Sequence, residues 1–294
     1  MRYLAKRAER ICDELYRLRI VQRMEWTERG PVRATLEIER KVSRSIICQK
    51  IHFYAACPRI DFETTVDWKE HQHLLKAHFP MDVHTDEATF EIQFGNVTRK
   101  THQNTSWDQA RFESCGQKWI DVSEGHYGIS LLNDCKYGHS VHNGEMALTL
   151  IKSGTEPNPV ADQEMHVFTY ALYPHAETWR SAETVAQAHF LNQPVRATAG
   201  GTAGEAYSLA SVDAKNVILE TVKQEEDGDG VIVRLYECEN AAQRQNCIGT
   251  APSLPLRSVT CRRMRSRMSR SKAVHSNSPS SRMRSRRSAS VNQK

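Results

Sequence analysis

PVRATLEIERKV, residues 31–42, decides the fold: Val32, Ala34, Leu36 and Ile38 alternate with polar and charged residues. A period of two puts one set of side chains on each face of a strand, whereas a helix would repeat at three and four residues. Working outward, IICQKIHFYA (46–55), RIDFETTVDW (59–68), ATFEIQF (88–94), YGISLLND (127–134), MALTLIKS (146–153) and MHVFTYALYP (165–174) read as further strands. Long strands joined by polar turns, with hardly any helix between them, imply an antiparallel sandwich, because parallel neighbours need crossover connections. The expected fold is therefore mainly β: a large antiparallel β-sandwich over 26–191, followed by an incomplete smaller β domain.

Upstream, Leu4, Ala8, Ile11, Leu15 and Leu18 recur at helical spacing, which predicts a short N-terminal helix over 1–25. ETWRSAETVAQAHF (177–190) predicts a second helix. Residues 192–206 are rich in Gly, Ala and Thr without periodicity and read as a linker. A partial second β domain is expected over 207–256, from SLASVD, NVILETVKQ and GVIVRLYECE, with DGDG (227–230) as its hairpin turn. Residues 257–294 form a Ser/Arg-rich tail with few large apolar groups, and disorder is expected there.

Charge divides along the same line. The tail carries twelve Lys and Arg and no acid, which leaves 28 basic against 35 acidic residues before it, about −7 for the body and +12 for the tail. Arginine runs bind RNA electrostatically, but the switch in material fits a nonnative or truncated end better, so a nucleic-acid partner is not expected. Nothing approaches eighteen uninterrupted apolar residues and the start is charged, so the expectation is a cytoplasmic protein, with a vacuolar location as the alternative and no membrane partner. Eight cysteines form no CxxC pair, which argues against a zinc ribbon or a dithiol redox motif.

Local motifs carry little chemistry. HQH (71–73), with His78 and His84 nearby, has a spacing that metal sites use, although neutral strand histidines explain it better. No Gly-rich phosphate loop, GxSxG or HExxH occurs. The densest stretch starts at THQNTSWD (101–108) and runs to Gly138, setting aromatics among amides and carboxylates. A sugar surface wants such a mixture, hydrogen-bonding groups beside an aromatic face. Aromatics packing the core while Asn and Asp cap turns produce the same composition.

EATFEIQFGNV (87–97), THQNTSWDQARFE (101–113), KWIDVSEGHYGISLLNDCKYG (118–138), ADQEMHVFTYALYPH (161–175) and VILETVKQEEDGDGVIVRLYE (217–237) resemble the C-terminal β portion of glycoside hydrolase family 38 α-mannosidases, most of all the cytosolic and vacuolar branch. RGPVRATLEIER (29–40) and RIDFETTVDWKEH (59–71) fit the same region, so the likeness covers about residues 26–240. The resemblance implies hydrolysis of terminal α-mannosyl linkages in mannose metabolism, with an α-mannoside or oligosaccharide as the parent enzyme's substrate. It also implies a retaining mechanism whose nucleophile and zinc ligands belong to an N-terminal domain with no counterpart here. On that reading the chain is a fragment, inactive alone, without a catalytic residue, metal ligand or cofactor of its own, and its partner is the missing catalytic domain or an oligomer. His102, Asn104, Trp107, Asp108, Asn133, Asp134, Lys136 and Tyr137 are the candidates for a substrate rim or an interdomain contact. A stand-alone carbohydrate-binding or structural β-sandwich is the alternative. The loss of strand periodicity near Asn240 and the look of the start suggest a gene-model defect.

Overall fold

The computed structural model describes residues 21–201, 204, 207–226, 228 and 230–241, with the backbone of 247–249. The chain divides into two compact units, Met1–Ala197 and Thr198–Lys294. In the first, thirteen described strands run in chain order: β1 (Val21–Arg29), β2 (Arg33–Val42), β3 (Ser45–Tyr54), β4 (Ile60–Asp67), β5 (Leu74–Pro80), β6 (Glu87–Ile92), β7 (Gly95–Lys100), β8 (Ser114–Cys115), β9 (Trp119–Ser123), β10 (Tyr127–Asn133), β11 (Gly138–His142), β12 (Glu145–Lys152) and β13 (Met165–Ala176). Two helices interrupt them, α1 (Ser106–Ala110) before β8 and α2 (Thr184–Asn192) after β13. All described strand pairings are antiparallel.

The strands form two layers. One is nine-stranded, in the order β1-β2-β3-β4-β13-β10-β9-β6-β7, and the other is four-stranded, β5-β12-β11-β8. Ile47, Val66, Phe90, Ile120, Leu131, Phe168 and Tyr170 of the large sheet pack against Leu75, Val141, Met146, Leu148 and Ile151 of the small one. Each such fully buried side chain contributes about 1.5–3 kcal/mol relative to exposure. Over β9, β10 and β13 the opposite face of the large sheet is covered by apolar side chains. There Trp119, Leu132, Ala171 and Tyr173 meet Trp179 and Ala188, the latter on α2. Toward the β1 edge the core-side face stays open, with Met24 63% and Trp26 46% exposed and Phe53 beside Trp26 at 6.0 Å between ring centroids.

Turn chemistry fixes the register. The β2–β3 turn is held by the buried Glu70, whose carboxylate accepts from Arg44 N and Ser45 Oγ, both at 2.9 Å. Asn143 and Gly144, with φ of 54° and 73°, join β11 to β12 in the two-residue turn that suits the strand twist and needs positive φ at both positions.

Some expectations change. Residues 21–25 belong to strand β1, paired with β2, so the helix expected over 1–25 does not run through its last five residues; residues 1–20 lie outside the described residues. The helix expected over 177–190 begins only at Thr184, after turns. His71 and Gln72 form a bend between β4 and β5 instead of strand, and Gln72 takes φ 55°. Val32 precedes β2 and is exposed, so the buried stripe is set by Ile38 and Val42.

In the second unit, β14 (Ala210–Val212) pairs with β17 (Cys247–Gly249), and β15 (Val217–Gln224) pairs with β16 (Val231–Glu237). The tail from 257 lies outside the described residues.

Candidate functional site

The segment from Thr101 to Glu113 runs beside β11 and β12. It is tied at one end where His142 Nδ1 meets the Thr101 carbonyl at 3.2 Å, and at the other by the two-residue pairing of β8 with β11. Between these ties lies α1. Thr105 caps it: its Oγ1 accepts from Asp108 N at 3.2 Å while the Asp108 carboxylate accepts from Thr105 N at 3.1 Å. This reciprocal cap satisfies two donors that a helix start leaves without partners. The hydrogen bonds from Thr105 hold the Asp108 carboxyl below its usual range. His102 Nδ1 sits 3.5 Å from the same carboxylate. Asn104 and Trp107 are exposed, Trp107 at 75%.

The other four candidates form a second group. Asn133 is fully buried; its amide donates to Gln117 O and its Oδ1 accepts from Lys136 N, both at 2.8 Å. Asp134 accepts from Thr169 N at 2.8 Å, which pins the end of β10 to β13. Lys136 places its ammonium 4.5 Å from the Phe168 ring centroid, and Tyr137 is half-exposed. Burial, and Asp134 beside it, push the Cys135 thiol up to about 12.

The two groups meet opposite ends of β11, since Tyr137 precedes its first residue and Thr101 contacts its last. At about 3.3 Å per residue, five residues of strand separate them, so they do not form one cluster.

Between them the outward face of the small sheet carries residues that sequence reading did not assemble. Strand alternation sets Lys76 and His78 of β5, Glu145 and Thr149 of β12, and Ser140 and His142 of β11 on this side. Lys76, only 8% exposed, donates to Glu113 Oε1 at 3.2 Å and to Ser140 Oγ at 3.1 Å, and Thr149 Oγ1 also donates to Glu113. His78 Nδ1 lies 2.5 Å from Glu145 Oε1. His78 had stood out beside HQH as a possible ligand; the register of β5 against β12 was the missing information. Among the described residues no three His, Cys, Asp or Glu side chains converge so as to hold a metal ion. His71 instead contacts Gln163, and His73 Nδ1 meets the carbonyl of His71.

Both units have counterparts among known proteins. The model "Glycosyl hydrolases family 38 C-terminal domain" matches residues 6–160, and "Glycosyl hydrolases family 38 C-terminal beta sandwich domain" matches 216–264, past the point near Asn240 where strand periodicity fades. Alpha-mannosidase G of Dictyostelium discoideum is 36% identical over 79% of this chain and 22% of its own length. Alpha-mannosidase 2C1 of Homo sapiens is 41% identical over 67% of the chain and 19% of its own. The alpha-mannosidase of Saccharomyces cerevisiae is 40% identical over 62% and 18%. The chain thus spans about a fifth of these relatives. The crystal structure of an alpha-mannosidase from Enterococcus faecalis V583 superposes with a TM-score of 0.68 at 18% identity, over 79% of this chain and 31% of that one, and so shares the fold. With a family model over more than half its length and relatives at these identities, the chain belongs to glycosyl hydrolase family 38 and corresponds to its C-terminal β domains.

Proposed function

We propose that this β portion is a supporting layer of an enzyme that hydrolyses terminal α-mannosyl linkages, and that the reacting groups come from another part of that enzyme. The observation that carries this reading is the use made of the buried carboxylates. Asp61 is clamped by Arg59 and Tyr54, Glu70 holds a turn, Glu91 accepts from Lys118 N, and Asp121 is enclosed by His175, Ser130 and Ser123. A retaining glycosidase needs two carboxyl groups about 5–5.5 Å apart on either side of an open cleft. These four are engaged in holding strands and turns together. The zinc that the family implies has no fitting set of ligands among the described residues.

Relatives named as α-mannosidases support a mannoside as the substrate of the parent enzyme. The five described cysteines are free thiols, which supports a reducing compartment and the cytoplasm before the vacuole. Among the described residues no helix is long and apolar enough to cross a membrane. The test is hydrolysis of an aryl α-mannoside by the purified chain, with and without added zinc or cobalt, and again after co-expression with the catalytic portion of a family 38 relative. Activity only in the last case supports the proposal, and turnover by the chain alone above a mock preparation overturns it.

A further inference from the structure

The two layers of the first unit differ in width, and the difference falls on one side. Between ring centroids, His139 of β11 stands 6.4 Å from Phe90 of β6, while Phe79 of β5 stands 5.8 Å from Phe62 of β4 and 6.1 Å from Tyr170 of β13. The small sheet thus runs from over β6 to over β4, and its edge strand β5 marks where it stops. Past that edge β3, β2 and β1 carry the large sheet on by three strands, an overhang of about 14 Å at strand spacing. At the β2–β3 turn Val42 and Ile47 still join the core; away from it the overhang opens.

The floor of this step is apolar. Residues directly opposite each other on paired strands point to the same face. Trp26, Leu36, Ile51, Phe62 and Tyr170 are opposite one another in turn across β1, β2, β3, β4 and β13. Phe62 and Tyr170 pack in the core, so the whole row faces the side of the small sheet. Exposure climbs along it: Tyr170 is buried, Ile51 and Leu36 are half-buried and Trp26 is exposed, with exposed Phe53 beside it on β3. The wall of the step is a strand edge. Among the described strands β5 pairs with β12 alone, so its other side has no strand beside it. A strand edge above an apolar floor suits an incoming strand, since the edge offers main-chain hydrogen bonds and the floor takes every second side chain.

We propose that this step docks an extended segment of the parent enzyme from outside this chain, which pairs with β5 as a fifth strand of the small sheet and lays alternate apolar side chains on Trp26, Leu36, Ile51 and Phe53. The proposal rests on the reading of the chain as part of a larger mannosidase. Two observations select this occupant. The chain spans about a fifth of its relatives, so some four-fifths of each relative is available to supply the strand. A second copy cannot fill the step by joining β5 to β5 antiparallel, because the twofold axis perpendicular to the sheet would drive the two overhangs into the same space.

The experiment co-expresses the full chain with the catalytic portion of a family 38 relative, purifies the complex, and compares its backbone amide hydrogen exchange with that of the chain alone. In the complex, the β5 amides not engaged with β12 are expected to exchange at least about tenfold more slowly. Trp26→Ser and Phe53→Ser should each lower co-purification at least about fivefold, and Trp107→Ser should leave it unchanged. Phe53→Ser remains informative if Trp26→Ser fails to fold. No complex, or a complex in which β5 exchanges as it does in the chain alone, overturns the proposal. Equal protection of β5 in the chain alone also overturns it, by assigning the step to a second copy or to another segment of this chain. Hydrolysis of an aryl α-mannoside is read on the same samples. An active complex with unprotected β5 rejects the docking site and leaves the mannosidase reading standing, whereas hydrolysis by the chain alone rejects that reading whatever β5 shows.

Discussion

His175 Nε2 lies 2.8 Å from Asp121 Oδ2, and the two side chains are only 3% and 1% exposed. They sit on the α2 side of the large sheet, where Asp121 also accepts from Ser130 Oγ at 2.7 Å and from Ser123, while Ser130 meets Thr184 of α2 at 2.8 Å. Removing one member of a buried pair strands the other, at a cost of about 3–5 kcal/mol. Asp121→Ala is expected to lose that much stability in urea unfolding.

Gly128 makes room for this cluster. A Cβ there would stand 2.4 Å from both His175 Cε1 and Ser123 Oγ. Gly128→Ala is expected to destabilise by about 1–3 kcal/mol through overpacking, and the double variant Gly128→Ala, His175→Ala by less than the sum of its parts. Strict additivity in the unfolding free energies would sink this account.

Asn133 braces two backbone segments at once. Asn133→Ala leaves Gln117 O and Lys136 N without partners, each worth about 1–3 kcal/mol when buried. A fall in thermal unfolding temperature is expected. Unchanged stability together with altered sugar binding would return Asn133 to the rim.

Burial, with Lys76 nearby, lowers the His139 imidazole to about 3. Its folded value is below the unfolded 6.5, so the unfolded chain takes up a proton that the folded chain refuses. This contribution is fully present above pH 6.5 and is lost by about 1.4 kcal/mol per pH unit on acidification, down to about pH 3. The buried Glu91, whose carboxyl is raised by desolvation, works in the opposite direction. His139→Phe, at a position already edge-on to Phe90, removes the histidine component alone. Urea unfolding at pH 7 and pH 5 should show a shallower loss in the variant than in the parent chain.

The open face near β1 calls for a different measurement. Met24→Lys should change unfolding free energy by no more than about 0.5 kcal/mol, because Met24 is 63% exposed, while reducing self-association in light scattering. Unchanged scattering would show that this face does not drive association.

Legibility in the sequence followed burial geometry. β2 and β4 were readable because their two faces meet different surroundings, so polarity alternates along them. β9, WIDVS, was not, because Trp119 faces α2 while Ile120 faces the small sheet, and its first four residues are all buried. β1 was hidden for the opposite reason: nearly all of it is exposed, and its charges continue the pattern of the segment before it. Among the eight candidate site residues, composition could not separate the exposed Asn104 and Trp107 from the buried Asn133, since an amide serves a turn as readily as a ligand.

By itself the sequence determined the class of fold and the family, because strand periodicity is local and the motifs that mark the family are contiguous stretches. Tertiary structure alone decided which polar groups are occupied. The pairing of β5, β12 and β11 brings Lys76 to Ser140 and His78 to Glu145 across 64 and 67 residues of chain. It also leaves His142 Nε2 without a partner among the described residues. Those relations depend on register between distant strands, and a one-residue slip would turn every one of these side chains to the other face.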